Sequence, residues 1–536
     1  MVYCHLVIYL VQTILLRGTV IQPAVMQMKR NLQFIIPIIL FSVVLRACVG
    51  LWGYSGHGKP PMFGDFEAQR HWMEITTALP MQDWYRQCTE NDLLYWGLDY
   101  PPLTAYTSQL FGNIAHYICP ELVSLHTSRG HESVAGKLFM RASVLLCDVL
   151  LLFPAIAVIV EAGLLSTEKA QNSVRSASIF LLAAVSPALI LIDHGHFQYN
   201  GVSIALALLG GAFIVNGYDL WGSILFSLSL NFKQMSLYYA PVFFFSLLRK
   251  CWEKRTSRGT KQRPRSSVYS EITGLLPSLL HLAAIGGTVI ATFALLWLPF
   301  CHSASPDLTC ADTLLQILHR LFPFSRGIFE DKVSNLWYTL SVLYDFRQLV
   351  SSTLLIRTSL ILTLTLLAPV AYDLLRHPLN QTRLLLSLIN SSLAFFLASF
   401  QVHEKSLLLA LLPAALIVHH RPIDVAWFQI VGCMTMYPLL MRDGQSVPYF
   451  VLLLLYGVVL MVLLDDDVVK QLGVKWALVP AEGKEAHRTQ PSRKKSTPSK
   501  MLWKSALAIL RYLFMFVSCA GKPQVFHVCY GYGYTF

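Results

Sequence analysis

Long apolar segments separated by short polar loops run along most of this 536-residue chain. Their apolar residues are continuous rather than alternating, which favours membrane-spanning helices over the strands of a transmembrane barrel. The runs between 220 and 248 are short, so broken or re-entrant helices are predicted there. In all, the pattern predicts about thirteen spans. They are 32–52, 138–162, 177–193, 201–215, 220–231, 236–248, 273–299, 352–373, 385–400, 406–419, 424–441, 448–465 and 502–519.

A long polar loop, residues 53–137, separates the first predicted span from the second. Within it, Leu103, Tyr106, Leu110 and Ile114 recur at helical spacing after two consecutive prolines. That spacing predicts an amphipathic helix that lies on the membrane surface rather than crossing it.

The composition agrees with a membrane protein, because charged residues make up only 13% of the chain and hydrophobic residues 54%. A soluble domain carries about 25% charged residues. The formal charge of +12 is carried by basic residues in short loops, which indicates membrane lipids as neighbours and no nucleic-acid partner. The predicted fold class is therefore an all-α polytopic membrane protein.

The positions of basic residues orient the predicted spans, because cytosolic loops carry an excess of lysine and arginine. Lys29 and Arg30 precede the first clear span and place that end in the cytosol, where the basic runs 249–265 and 484–500 also fall. The other polar motifs all fall on the opposite side, which predicts one polar site just outside the bilayer core. These motifs are residues 65–72, 95–102, 194–200, 233–234, 330–337 and 401–405.

Asp65 lies shortly after the first span, in a stretch that also contains Glu67 and Arg70. A carboxylate beside a membrane span is costly unless it has a partner or a function. Asp65 and Glu67 are two residues apart and do not share a helix face, so only one is expected to face a site. Asp65 is either a general base for a sugar hydroxyl or the N-cap of a helix that begins near Phe66. Arg70 is a candidate substrate-binding residue.

Aromatic residues surround a carboxylate in the segment 95–102. Two prolines fix an extended turn there and begin a helix. Trp96 and Tyr100 offer flat amphipathic faces, which either stack on a sugar or belong to an interfacial aromatic belt. Asp99 is expected to orient a hydroxyl or a basic neighbour.

His194 and His196 stand two residues apart in a polar turn between two spans, close to Gln198. Metal-binding histidine pairs on helices prefer a spacing of four, and the sequence has no second cluster of ligands at metal spacing. A hydrogen-bonding turn is the alternative, and no metal is expected. His196 and Gln198 are candidate substrate-binding residues.

Lys233, His403 and Lys405 are candidates for binding a phosphate leaving group. Such a group needs cations or hydrogen-bond donors where its charge develops. The alternative is that these residues are ordinary cations at helix ends, which extend to the membrane interface.

Eleven cysteines are scattered along the chain, without a C-x-x-C pair or a His/Cys cluster at metal spacing. Most are expected to be ordinary thiols. Cys301 and Cys310 flank a single loop and could pair if that loop is lumenal.

The sequence lacks the motifs that bind water-soluble nucleotides. It has no P-loop, no Rossmann glycine pattern and no D-x-D placed where a nucleotide-sugar enzyme would hold its metal. The acidic run Asp465-Asp466-Asp467 falls on the cytosolic face. A lipid-linked donor, presented within the membrane, fits better.

Several motifs together resemble the eukaryotic dolichyl-phosphate-glucose-dependent glucosyltransferases of N-glycan assembly. The resemblance covers about residues 32–465. It implies a GT-C type helical bundle with lumenal surface helices in the endoplasmic reticulum membrane. It also implies an inverting transfer from dolichyl-phosphate glucose without metal or other cofactor. The matching strings are GDFEAQRHW, YWGLDYPPLTAY, LHTSRGHES, LFMR, LIDHGHFQYNGVS, NFKQMSLYYAP, LFPFSRGIFEDKVSNLW and FQVHEKS.

The resemblance also implies roles for individual residues. Asp65 matches the family's catalytic aspartate, and His403 and Lys405 fall in its VHEK element, consistent with contact to the donor phosphate. GDFEAQRHW followed by YWGLDYPP resembles members that add the first glucose to the nine-mannose dolichyl-pyrophosphate oligosaccharide. A member that adds the second glucose and a membrane lipid or sugar transporter are the alternatives.

Four regions are predicted along the chain. Residues 1–31 form an N-terminal extension that is atypical of the family. Residues 32–465 form the multi-span catalytic module, with the catalytic aspartate in the lumenal loop 53–137. Residues 466–500 form a basic cytosolic linker, and residues 501–536 contain the last span and an atypical tail.

Overall fold

The computed structural model describes residues 21–164, 172–256, 268–302, 309–322, 333–344 and 346–472. The regular structure within these ranges is helical, and its β-type pairing is limited to an isolated bridge between Cys88 and Asn91. The predicted all-α class is therefore confirmed for the described part of the chain.

The helices are named here in chain order. They are α1 (Ile21–Gly50), α2 (Gly64–Ala78), α3 (Pro102–Ile118), α4 (Val134–Cys147), α5 (Phe153–Leu164), α6 (Asn172–Ala184), α7 (Pro187–Ile190), α8 (Asn200–Val215), α9 (Asp219–Phe232), α10 (Ala240–Thr256), α11 (Val268–His302), α12 (Cys310–Leu321), α13 (Leu336–Ser341), α14 (Phe346–Leu349), α15 (Ser352–Arg376), α16 (Gln381–Ala398), α17 (Leu408–Ala415), α18 (Pro422–Arg442) and α19 (Ser446–Leu472). A π-helical turn, Leu191–Phe197, follows α7. Short 3-10 turns, Gln234–Tyr239 and Glu404–Leu407, precede α10 and α17.

Eight described segments are long and apolar enough to cross a membrane, and each coincides with a predicted span. They are Gln33–Gly50, Val134–Glu161, Arg175–Phe197, Leu276–Cys301, Ser352–Arg376, Gln381–Ala398, Pro422–Arg442 and Ser446–Leu463. Four other predicted spans form the shorter helices α8, α9, α10 and α17. The predicted span 502–519 lies outside the described residues.

Two of the shorter helices, α8 and α17, are packed inside the protein. α8 is buried along almost its whole length and packs against α9. A Cβ on Gly210 would lie 2.9 Å from the Gly222 carbonyl oxygen, and a Cβ on Gly222 would lie 2.7 Å from that of Gly210. Both glycines therefore permit a close approach of the two helices. A helix surrounded by protein need not match the thickness of the bilayer, which explains why these apolar runs are short.

The long loop 53–137 folds around two crossing helices, α2 and α3. A Cβ on Gly112 of α3 would lie 2.7 Å from the Met73 carbonyl oxygen of α2. The helix predicted after the two prolines is confirmed, although its packed face is formed mainly by small residues. Ile114, in the predicted apolar stripe, is 38% exposed. Contact of this stripe with a membrane surface remains a prediction.

A disulfide between Cys301 and Cys310 joins the end of α11 to the start of α12, as the sequence analysis anticipates. From the other end of α12, Arg320 donates a hydrogen bond to the carbonyl oxygen of Gly97 (2.7 Å). The disulfide-linked helix α12 thereby supports residues 95–101, the loop before α3 that is called the aromatic loop below.

Two predicted region boundaries fall inside helices. α1 begins at Ile21, before the predicted boundary at residue 32. α19 continues to Leu472, past the predicted start of the linker at residue 466. Helical backbone hydrogen bonds do not require apolar side chains, so a helix can extend beyond its apolar run. The rest of the predicted extension, linker and tail lies outside the described residues.

Candidate active site

Asp65 lies in the first turn of α2, where the chain turns sharply into the helix. Phe63 and Gly64 have positive φ angles of 59° and 76°. A Cβ on Gly64 would lie 2.7 Å from Ser55 Oγ, so this approach requires glycine. Ser55 Oγ accepts a hydrogen bond from the Asp65 backbone N–H (3.0 Å). Phe63 occupies the N-cap position, so the N-cap interpretation of Asp65 is wrong.

Three donors from distant parts of the chain converge on one oxygen of the Asp65 carboxylate. Lys405 Nζ and Gln198 Nε2 each lie 2.5 Å from Oδ2, and His196 Nε2 lies 3.1 Å from it. No described residue donates to Oδ1, and the side chain is 26% exposed. The structure therefore brings three of the six predicted motifs together, and one carboxylate oxygen is open to an incoming group.

His196 and Gln198 are positioned by the end of the π-helical turn Leu191–Phe197. Phe197 has a φ of 93°, a left-handed conformation that costs a residue other than glycine about 1–3 kcal/mol. Its ring is fully buried and packs against Phe66 of α2, with 4.8 Å between the ring centroids. This packing holds the strained turn against α2 and fixes the two side chains beside Asp65.

The charges around Asp65 keep its carboxylate ionised. Burial alone would raise the pKa of Asp65, but the Lys405 ammonium and the His196 imidazole outweigh burial and hold that pKa well below its usual range. An ionised carboxylate is the form that can accept a proton. At neutral pH Asp65 is therefore in the state that a general base requires.

Lys233 lies beneath this carboxylate and is only 2% exposed. Its ammonium donates to Asn200 Oδ1 (2.6 Å) and to Gln198 Oε1 (3.1 Å). It also lies 4.8 Å from the centroid of the Tyr100 ring. Burial and the neighbouring Lys405 lower the pKa of Lys233 to about 7. Lys233 is therefore not a cation at a helix end that extends to the membrane interface, and this alternative interpretation is wrong for Lys233.

The loop before α3 brings Tyr100 into the cluster, with Oη 3.4 Å from Gln198 Oε1. Trp96 packs beside α2, where its carbonyl oxygen accepts a hydrogen bond from Trp72 Nε1 (2.9 Å). Asp99 lies in the same loop. Stacking of Trp96 on a sugar and orientation of a hydroxyl by Asp99 remain predictions.

Lys405 and His403 come from the segment before α17 but are placed differently. The Lys405 side chain is 16% exposed, and its ammonium contacts Asp65. His403 is exposed, and its carbonyl oxygen accepts a hydrogen bond from Ser406 Oγ (2.7 Å). The structure therefore brings Lys405 into the cluster, whereas contact of His403 with a phosphate remains a prediction.

Arg70 does not reach the Asp65 cluster. Its guanidinium is fully buried, and every N–H group has an acceptor. The acceptors are the side chains of Glu67, Glu74 and Ser128 and the carbonyl oxygen of Leu122. Because no donor is left for a substrate, the structure does not support the predicted substrate-binding role of Arg70. Glu67 faces this network while Asp65 faces the cluster, as their spacing predicts.

His194 contacts a different carboxylate from His196. His194 Nε2 lies 2.8 Å from Asp148 Oδ2, to which Arg46 also donates (2.7 Å). The two imidazoles are therefore not arranged to share a metal, and the structure favours the hydrogen-bonding turn.

Asp443 completes the cluster, although the sequence analysis did not select it. Its Oδ2 lies 2.5 Å from His196 Nδ1. Asp443 stands in the turn between α18 and α19. Counting spans from a cytosolic N-terminus places this turn on the same side as Asp65. That count, combined with the cost of a carboxylate beside a span, is the signal that could have found it.

Known proteins resemble this chain over most of its length. A relative from Dictyostelium discoideum, named probable dolichyl pyrophosphate Man9GlcNAc2 alpha-1,3-glucosyltransferase, is 44% identical over 80% of this chain and 78% of its own. A Gallus gallus relative, named dolichyl pyrophosphate Man9GlcNAc2 alpha-1,3-glucosyltransferase, is 45% identical over 77% of this chain and 75% of its own. An Arabidopsis thaliana relative, also named probable dolichyl pyrophosphate Man9GlcNAc2 alpha-1,3-glucosyltransferase, is 42% identical over 79% of this chain and 74% of its own.

A family model matches an even longer part of the chain, residues 16–529. Its description agrees with the resemblance that the sequence motifs indicate. The chain belongs to the ALG6, ALG8 glycosyltransferase family.

Proposed function

We propose that this chain transfers glucose from dolichyl-phosphate glucose to dolichyl-pyrophosphate Man9GlcNAc2, forming the first α-1,3-glucose linkage at the lumenal face of the endoplasmic reticulum membrane. The names of the relatives support the acceptor and the linkage. The observation that carries the chemistry is the Asp65 carboxylate, held at Oδ2 by three donors and open at Oδ1.

Asp65 acts as the general base of a single displacement. The acceptor hydroxyl gives its proton to Oδ1, and its oxygen attacks the anomeric carbon of the glucose. The bond from that carbon to the phosphate oxygen breaks, and its electron pair leaves with dolichyl phosphate. Attack opposite the leaving group converts a β-linked donor into an α-linked product. One base therefore suffices, and it typically contributes roughly 10²–10⁴-fold to the rate.

Lys405 is placed to stabilise the leaving group. A departing phosphate gains negative charge, and a fixed cation beside it lowers the barrier. The Lys405 ammonium lies 2.5 Å from Asp65, so a phosphate that contacts it is also close to the base. Lys233 lies deeper and adds positive potential beneath the same carboxylate.

Two features support a lumenal position for this site. The alternation of basic loops places Asp65 opposite the cytosolic runs. The disulfide between Cys301 and Cys310 is linked through α12 to the aromatic loop of the site. Disulfides persist in oxidising compartments, of which the lumen of the endoplasmic reticulum is one.

Glucose transfer from dolichyl-phosphate glucose by the purified protein tests the role of Asp65. Asp65→Asn is expected to lower kcat by roughly 10²–10⁴-fold, since the base is lost with little change in shape. Glu121→Gln, which changes an exposed carboxylate in the same long loop, is the matched control and is expected to keep wild-type turnover. Wild-type turnover by the Asn variant, or a cytosolic location of residue 65, would overturn the proposal.

The choice of acceptor tests which glucose is added. Acceptors with nine mannoses and either no glucose or one glucose are supplied to the same enzyme. Transfer to the unglucosylated acceptor is expected. Transfer only to the monoglucosylated acceptor would instead assign the chain to the second glucose addition.

A further inference from the structure

The imidazole of His196 lies between two carboxylates. Its Nδ1 is 2.5 Å from Asp443 Oδ2, and its Nε2 is 3.1 Å from Asp65 Oδ2. The side chains of His196 and Asp443 are 2% and 5% exposed, so water does not compete for their contact. Three separate elements meet here: α2, the π-helical turn before α8, and the turn after α18.

Both contacts are satisfied together only by a charged ring. A neutral imidazole carries one N–H group and can donate to one carboxylate. Its other nitrogen would then direct a lone pair at an ionised oxygen, which is repulsive. The imidazolium carries two N–H groups and makes a charge-assisted hydrogen bond at each side.

The other charged groups facing His196 oppose a positive ring. Lys405 contacts the same Asp65 oxygen as His196 does. Arg141, from α4, donates to the carbonyl oxygen of the residue before His196 (2.8 Å). The negative charge of Asp65 is therefore shared between Lys405 and His196. The Asp443 carboxylate accepts a hydrogen bond from His196. Asp443 is the group that offsets the two neighbouring cations.

We propose that Asp443 is a positioning residue for the general base, an inference that rests on the proposed function. By favouring the charged form of His196, Asp443 keeps an N–H group directed at Asp65 Oδ2. That contact keeps Asp65 ionised before the reaction. It also leaves Oδ1 as the oxygen that meets the acceptor hydroxyl.

The proton from the sugar goes to Asp65 Oδ1, and His196 retains both of its own protons. Protonated Asp65 then lies beside two cations, His196 and Lys405, which favour its ionised form. The proton is lost to water at the open side of the carboxylate. The base is thereby restored without proton transfer to Asp443.

The pH dependence of kcat/KM tests this role in Asp443→Asn. The substitution keeps the shape but removes the charge that favours the imidazolium, so His196 becomes neutral and the pKa of Asp65 rises. Because only ionised Asp65 is active, the acidic limb of the profile is expected to move to higher pH. At neutral pH kcat is expected to fall about ten- to a hundredfold, because Asp65 Oδ1 is no longer held toward the acceptor hydroxyl; this loss is less than the roughly 10²–10⁴-fold contribution of the base itself.

Two further variants separate charge from structure. Asp443→Glu restores the carboxylate and is expected to recover most of the rate and the original acidic limb. Asp373→Asn is the matched control, because Asp373 and Asp443, each taken as a whole residue, are both 7% exposed. Asp373 also pairs with a histidine, His377 (3.0 Å), away from the cluster. Its substitution is expected to leave the pH profile unchanged.

Asp65→Asn assayed in parallel distinguishes failure of the positioning role of Asp443 from failure of the proposed function. If Asp65→Asn is inactive and Asp443→Asn keeps the wild-type profile, the positioning role is overturned and the proposed function stands. If both variants are fully active, the proposed function itself fails. If Asp443→Asn does not fold, labelled-histidine NMR of the wild type decides, with the His196 signal assigned through His196→Gln. A charged ring at neutral pH supports the proposal, and a neutral ring overturns it.

Discussion

Two ionic clusters on α2 use the same kinds of residue but are built differently. Around Arg70, every N–H group has an acceptor, and the side chains of Arg70 and Glu74 are fully buried. Around Asp65, three donors meet at one oxygen while the other oxygen has no described donor. A saturated network stabilises its helix but cannot bind a substrate group, whereas an unsaturated carboxylate can.

The difference follows from where the partners come from. Leu122 and Ser128, which bind Arg70, belong to the segment between α3 and α4, so this network ties α2 to the chain that follows α3. Gln198 and Lys405, which bind Asp65, belong to the helical bundle. Asp65 thus lies where α2 meets the bundle, and ligands commonly bind at such junctions.

Substitution of Arg70 gives the largest expected effect on stability. Arg70→Met leaves Glu67 and Glu74 buried without their cation and is expected to lower the free energy of unfolding by about 3–5 kcal/mol. Thermal unfolding of the detergent-solubilised protein measures this loss. Asp65→Asn is the comparison and is expected to lower stability far less, because its side chain is partly exposed. Equal losses in the two variants would show that the two clusters contribute equally to stability and would overturn the contrast between them.

Sequence reasoning found the Asp65 cluster because the alternation of spans depends only on the order of apolar and basic segments. That order places Asp65, Gln198 and Lys405 on one side. The same reasoning grouped Arg70 with a substrate, although its saturation depends on Leu122 and Ser128. A span count does not predict which groups of the segment between α3 and α4 contact α2.

The fold was predicted more accurately for long helices than for short ones. Hydropathy counts apolar side chains but does not distinguish those that face lipid from those that face protein. α8 is as apolar as a span, yet it is buried against α9 and only 16 residues long. The glycines that permit this packing, Gly210 and Gly222, become informative only once the two helices are known to be neighbours.

Lys405→Gln tests whether the open cluster stabilises developing charge. The variant is expected to lower kcat by roughly 10²–10³-fold, the usual cost of removing one group that stabilises charge in the transition state. The pKa of Asp65 also rises without this ammonium, so the loss is expected to be greatest at acidic pH. Steady-state transfer across a pH series measures both effects. A variant with normal kcat and a raised KM would show that Lys405 only binds the donor.

The smallest expected effect comes from titration of Lys233, whose pKa lies at about 7. A lowered lysine pKa means that the positive charge is present below about pH 7 and is lost as the pH rises through that value. The anionic donor then faces a weaker positive potential. Its KM is expected to rise between about pH 6 and pH 8, by at most about tenfold per pH unit, since one unit corresponds to about 1.4 kcal/mol.

Lys233→Arg removes the titration while keeping a positive charge, because a guanidinium stays protonated over this range. If the charge of Lys233 acts on the donor, the pH dependence of the donor KM disappears in the Arg variant while the acidic limb set by Asp65 remains. If the dependence persists in the Arg variant, another group is responsible. The open cluster would then use Lys233 only to hold Gln198 and Asn200 in place, much as the saturated cluster uses Arg70.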